Sequence, residues 1–166
     1  AHSVGEGHDV YAMVRQSTDL TRIRALAPAA HLVYGDLLDL ASFDAQLQAI
    51  RPELVIHCGW YVAPGKYLMS EANFDFVAAS VRLARRVASL GCRRFVGLGT
   101  CFEYDTSYGY LAEDTPTRSA SPYAASKLAL QMLLEQVGAL SGMETAWARI
   151  FYQYGPYEQA QRLVPS

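Results

Sequence analysis

Residues 78–100 read AASVRLARRVASLGCRRFVGLGT, and the order of the parts in this stretch decides the fold. Val81, Leu83, Ala84, Val87 and Leu90 fall on roughly one stripe of a helix over Ala78–Leu90. Gly91 stops that helix, Arg93 and Arg94 follow, and Phe95–Leu98 is a strand that runs into Gly99 and Thr100. A helix, a stop and a strand in that order belong to a β-α-β alternation.

The alternation continues on both sides. Upstream, Val10–Val14 and Leu32–Tyr34 read as short strands with a Leu-spaced helical segment around Leu20–Leu26 between them. Ala41–Ile50 is a helix with one apolar face, and Leu54–Cys58 shows no polar alternation, as a central parallel strand should not. Gly59 closes it. Downstream, Ser121 caps a helix whose first residue is Pro122, whose fixed φ and missing N–H suit the first turn. Leu128, Met132 and Leu133 give that helix an apolar face, and Thr145–Ile150 is the last strand. The fold class is therefore α/β, a doubly wound parallel sheet of the Rossmann-like kind, with ligands beyond the carboxyl ends of the strands. No G-x-x-G-x-x-G lies upstream of Val10, so the first strand with its Gly-rich turn is expected to be lacking.

Composition narrows the function classes. The 166 residues are 51% hydrophobic and 18% charged, enough for a real core and against disorder. A net charge of -2 without a run of Lys or Arg gives no footprint for a phosphate backbone, so nucleic acid is not the expected partner. Small molecules are. Cys58, Cys92 and Cys101 are odd in number and lack zinc-site spacing, which argues against a metal and for a reducing, cytoplasmic setting. The apolar runs are strand-length, so no membrane span is expected.

Tyr123 and Lys127 lie four apart, on one face of the helix that Ser121 opens. A phenol titrates near pH 10, and a neighbouring ammonium draws it toward the neutral range, where it can carry a proton. The chain has only two lysines, Lys66 and Lys127. Standing alone, such a pair is an ordinary surface pair. Thr100 changes the reading, because it puts a hydroxyl at a strand's carboxyl end and can reach the same substrate oxygen.

Several marks occur together in order: Gly35-Asp36 with Asp39, Val55-Ile56-His57-Cys58-Gly59, Thr100, Tyr123-Ala124-Ala125-Ser126-Lys127, and Arg149-Ile150-Phe151-Tyr152-Gln153-Tyr154-Gly155-Pro156. With them, nearly the whole chain resembles the extended short-chain dehydrogenases/reductases, also called the NAD-dependent epimerase/dehydratase family. The resemblance implies that Tyr123 is the general acid/base, that Lys127 lowers its pKa and holds the nicotinamide ribose, and that Thr100 hydrogen-bonds the reacting oxygen. Hydride then moves to or from nicotinamide C4. It further implies that Asp36 and Leu37 border the adenine and that Cys58 and Gly59 line the cofactor. His57 reads equally as a strand-end histidine bonded to backbone, and Cys92 and Cys101 as buried small hydrophobes. Arg15, directly after its strand, suits the 2′-phosphate of NADP, whereas Asp19 further on could serve NAD. NAD(P), leaning to NADP, is the expected cofactor.

Sugar-nucleotide dehydratases of this family carry two acidic residues after the Thr, and here Cys101 and Phe102 stand there. In a strand, Glu103 would point to the opposite side. Dehydration therefore ranks below C4 reduction or C4 epimerisation of a nucleotide sugar. The segment Gly99-Thr100-Cys101-Phe102-Glu103-Tyr104, with Phe151-Tyr152 and Tyr154-Gly155-Pro156-Tyr157-Glu158, is similar to the subgroup of deoxyhexose-nucleotide synthases that reduce C4. Thr100, Cys101, Phe102 and Tyr152 are the expected substrate contacts, Tyr152 standing where many relatives have an Asn that touches substrate phosphates. Counting back from Phe95 without a gap puts Phe76 where the relatives' helix Asn stands, and Asn73, one turn earlier on the same helical face, is the alternative for that place. Residues 1–166 thus read as a partial NAD(P)-binding Rossmann domain, a fragment whose substrate-binding domain lies outside this chain. The helix faces of Ala78–Leu90 and Pro122–Val137 suggest a homodimer through a helix pair. A different class, a non-catalytic NAD(P)-binding regulator on the same fold, is the alternative, although such proteins commonly lose the Tyr or the Lys.

Overall fold

The computed structural model describes residues 2–153, without the side chain of Leu26. In chain order the elements are α1 (His2–Gly5), β1 (Tyr11–Val14), α2 (Thr21–Leu26), β2 (His31–Tyr34), α3 (Asp44–Ile50), β3 (Leu54–His57), α4 (Ala72–Ser89), β4 (Arg94–Thr100), α5 (Pro122–Ser141) and β5 (Glu144–Ile150). The family-like segment from Tyr154 to Glu158 lies outside the described residues.

All strand pairings are parallel, as expected, but they form two sheets among the described residues. One is β1–β2, with Tyr11 opposite His31; the other is β3–β4–β5, with Leu54 opposite Arg94 and Thr100 opposite Ile150. Side chains join what backbone does not. Val33, Leu37 and Phe43 share one apolar cluster with Leu83, Val87 and Phe95, and α5 adds Leu130 and Leu134. Phe95 is fully buried, as its place in the middle strand requires.

α4 begins at Ala72, six residues before the apolar stripe suggests. Ser70 Oγ accepts the Ala72 N–H at 3.3 Å, and the inward residue of the first turn is Asn73, fully buried. A polar residue on the buried face, with Phe74 exposed, hides that turn from a reading based on apolar spacing. α5 starts where expected: Ser121 has extended backbone, Pro122 is the first helical residue, and Ser121 Oγ accepts the Ala124 N–H at 3.2 Å. No helix of the described residues is long and apolar enough to cross a membrane.

Candidate active site

β4 delivers Thr100 at its carboxyl end, and the first two turns of α5 deliver Tyr123 and Lys127 beside it. All three side chains are buried. The Thr100 hydroxyl acts on the Tyr123 phenol, favouring its charged form, so the two groups that would share a ligand atom are neighbours. Tyr67 packs edge-on against the Tyr123 ring, with centroids 4.8 Å apart. Lys127 Nζ donates to the Leu98 carbonyl at 2.8 Å and sits 3.8 Å from the centroid of the Trp60 ring.

Burial dominates the electrostatics of this cluster. It pushes the Lys127 ammonium down to about 8, against the opposing charges of Glu103 and Cys58. It also raises the Tyr123 phenol above its usual value, while the neighbouring Thr100 hydroxyl pulls the other way. The expectation that Lys127 draws the phenol down is not met here. Lys127 commits its ammonium to the Leu98 carbonyl and the Trp60 ring, and the low-dielectric surroundings favour a neutral phenol.

Below the turn that follows Thr100 lies a buried carboxylate. Glu103 Oε1 accepts the Thr100 N–H at 2.8 Å, and Oε2 accepts Trp147 Nε1–H at 3.0 Å and Arg149 Nε–H at 2.7 Å. Residues 101–103 form a 3-10 turn, not a strand, so the alternation argument for Glu103 does not apply. Three donors occupy the Glu103 carboxylate, which is wholly buried. Trp147 and Glu103 press against Gly99, where a Cβ would collide with both.

The remaining substrate candidates gather on the same side. Cys101 is buried, with its thiol pushed up by that burial, and Phe102 lies edge-on to the exposed Tyr152 ring at 6.3 Å. The cofactor candidates all follow carboxyl ends of parallel strands. Arg15 follows β1, exposed, its N–H bonded to Thr18 Oγ1. Asp36 folds the chain after β2 by accepting the Leu38 N–H at 2.9 Å, and Leu37 is buried in the core cluster. A side chain at Gly59 would come within 3.2 Å of Leu37 Cδ2, so this glycine lets the turns after β2 and β3 approach. Cys58 is exposed beside it. Asp19, the alternative ribose ligand, accepts the N–H and hydroxyl of Thr21, the first residue of α2, at 2.9 and 2.6 Å.

Other residues are placed differently from the sequence reading. His57 bonds through Nε2 to Ser80 Oγ at 2.7 Å rather than to backbone, and burial lowers it to about 4. Asn73 does not replace the family's helix Asn at the site. Its Oδ1 accepts Trp60 Nε1–H at 2.8 Å, and its Nδ2 donates to the Tyr67 and Ser70 carbonyls. Trp60 and Tyr67 were not foreseen. The available signal was a tryptophan directly after the glycine that closes β3, at the end of the sheet where ligands bind. A cleft of about 250 Å³ lined by Glu53, Leu54, Arg93, Arg94 and Glu144 lies at the amino ends of β3, β4 and β5, away from this chemistry. Its charges are paired across the strands.

The sequence model of the NAD dependent epimerase/dehydratase family matches residues 2–166. The UDP-glucose 4-epimerase of Mycolicibacterium smegmatis is 30% identical over 129 residues, 75% of this chain and 41% of that protein. Among solved structures, the UDP-glucose 4-epimerase of Thermus thermophilus in complex with NAD is similar at TM-score 0.77 and 20% identity, over 99% of this chain and 53% of that one. TunA, an NAD-dependent NDP-hexosamine 5,6-dehydratase, is similar at TM-score 0.70 and 25% identity over the same shares. The chain thus spans about half the length of these relatives or less.

Proposed function

From the premise that this chain belongs to the NAD dependent epimerase/dehydratase family, we propose that it is the cofactor-binding part of a nicotinamide-dependent enzyme acting at C4 of a nucleotide sugar. The observation that carries the reading is the burial of the Tyr123 phenol beside Thr100 at a strand's carboxyl end, with Lys127 one helical turn away. The residues fit a dinucleotide: a half-buried Asp36, the close Gly59 turn and a partly unspent ammonium converge on one edge. Asp36 and Leu37 would border the adenine, Cys58 and Gly59 the phosphates and ribose, and Lys127 the nicotinamide ribose. When bound, the cofactor supplies or accepts the hydride.

Tyr123 and Thr100 hold the sugar's C4 oxygen between them. A phenol kept protonated by burial is set to give its proton to a ketone oxygen as that carbon is reduced. Run backwards, the same oxygen takes the proton from a C4 hydroxyl, and an epimerase uses both directions in turn. Cys101 and Phe102 cannot protonate a leaving hydroxyl, and Glu103 is occupied by Arg149, Trp147 and Thr100, which supports reduction or epimerisation over dehydration. Phe102 and Tyr152 offer ring faces and edges to the substrate. Arg15, exposed after β1, is the residue that would favour NADP by pairing with a 2′-phosphate. The exposed Phe74, Met132 and Leu133 of α4 and α5 would form the contact between two copies. Three free thiols suit a reducing cytoplasm.

The test is to incubate the full protein with UDP-hexoses and 4-keto sugar nucleotides, with NAD(H) or NADP(H), following the absorbance of the reduced nicotinamide and identifying product by NMR. Turnover at C4 is expected. Loss of water from the sugar, or no reaction with any nucleotide sugar despite bound cofactor, would overturn the reading.

A further inference from the structure

We propose that Trp60 is a positioning residue for Lys127: its indole face, locked by Asn73, occupies one side of the ammonium and leaves a single N–H directed to a ligand hydroxyl. The inference rests on Lys127 being the ligand-facing lysine of the proposed site. An ammonium has three N–H donors and no acceptor. One is spent on the Leu98 carbonyl at 2.8 Å, and the Trp60 ring, 3.8 Å from Nζ, faces another direction. Among the described residues no carboxylate forms an ion pair with Lys127. Glu103 acts on this buried cation only from beyond ion-pair distance, and the face of an indole supplies negative potential in contact with it.

The indole is held too firmly to be incidental packing. Its Nε1–H donates to Asn73 Oδ1 at 2.8 Å, and Asn73 is itself pinned by donation to the Tyr67 and Ser70 carbonyls at 2.7 and 2.8 Å. Phe76 tilts against the indole at 5.6 Å between centroids. Phe76, one turn on from Asn73 along α4, thus presents a ring that braces Trp60. The same turn that pins Asn73 also brings Tyr67 against Tyr123, so one short segment fixes the surroundings of both site residues.

The titratable groups that act on Lys127 from its surroundings are His57 and Cys58 at the end of β3 and Glu103 in the turn after β4, and Tyr123 shares its face of α5. Removing the indole face while keeping the site dry should therefore weaken the charged form of Lys127. Burial already holds that amine at about 8.

The experiment uses protein labelled with 13C and 15N at lysine, without added cofactor, and follows the ε-carbon of Lys127 against pH. Lys66, exposed in the loop before α4, supplies the reference resonance. In the wild type the Lys127 ε-methylene protons should lie upfield of those of Lys66, through the ring current of the indole. Trp60→Leu, which keeps bulk but has no ring, should lower the Lys127 midpoint by about one pH unit. Trp60→Phe should restore most of it, and Asn73→Ala should produce part of the fall. An unchanged midpoint in Trp60→Leu, or ε-methylene protons of Lys127 that match those of Lys66, would overturn the proposal. The second readout needs no variant to fold. Full turnover in Tyr123→Phe would instead sink the catalytic reading and leave the lysine titration to judge Trp60 separately.

Discussion

Arg149 and Glu103 form an ion pair at 2.7 Å beneath the turn that carries Thr100, with the carboxylate wholly buried and also bonded to Trp147 and the Thr100 N–H. Arg149 Nη2 donates in turn to Gln131 on α5 at 2.7 Å, and its guanidinium lies 4.8 Å from the Tyr104 ring centroid. One carboxylate therefore ties β4, β5 and α5 together where the candidate site is built.

Breaking that network from one side leaves a charge without its partner. Glu103→Ala should cost about 3–5 kcal/mol of stability, because Arg149 and two N–H donors lose their acceptor in a buried place. Urea unfolding of the variant against the wild type measures it, and a loss below about 1 kcal/mol would contradict the account.

Gly99 offers a steric test of the same region. A methyl group there meets Trp147 and Glu103, and the indole cannot retreat without losing its bond to the carboxylate. Gly99→Ala should destabilise by about 1–3 kcal/mol. It should also displace the Trp147 fluorescence, in a variant with Trp60→Phe as background.

His57 gives a pH dependence with a defined sign. Its ring titrates at about 4 in the folded chain against an ordinary 6.5, so the unfolded chain binds the extra proton first. Stability from this group is complete above pH 6.5 and is lost as the pH falls through about 4, by about 3 kcal/mol in all. Denaturant midpoints between about pH 7 and about pH 4 should fall in the wild type and less steeply in His57→Gln. Parallel slopes would contradict the burial argument.

The readable parts of this chain were those that local chemistry dictates. Ser121-Pro122 can only open a helix there, and Gly99-Thr100 follows a run with no polar alternation, so the strand end and the Tyr123/Lys127 face were legible. What stayed hidden depends on contacts far apart in sequence. The start of α4 turns on Asn73, whose partners Trp60, Tyr67 and Ser70 make a polar residue acceptable on a buried face. His57 finds a serine 23 residues away, and Glu103 finds an arginine 46 residues away, which no spacing rule anticipates. The Tyr123 phenol misled for a different reason: spacing puts Lys127 on the same face but does not say that burial outweighs it, with the ammonium giving one N–H to Leu98 and lying against Trp60.

The phenolic oxygen of Tyr123 carries the proposed proton transfer. In Tyr123→Phe of the full protein the ring and its contact with Tyr67 survive, so the fold and the dinucleotide affinity should be retained. Turnover of the nucleotide sugar should fall by about 100- to 10,000-fold. Steady-state rates measured beside cofactor titration decide it: the large fall with unchanged cofactor binding is the expected result, and undiminished turnover would contradict the account.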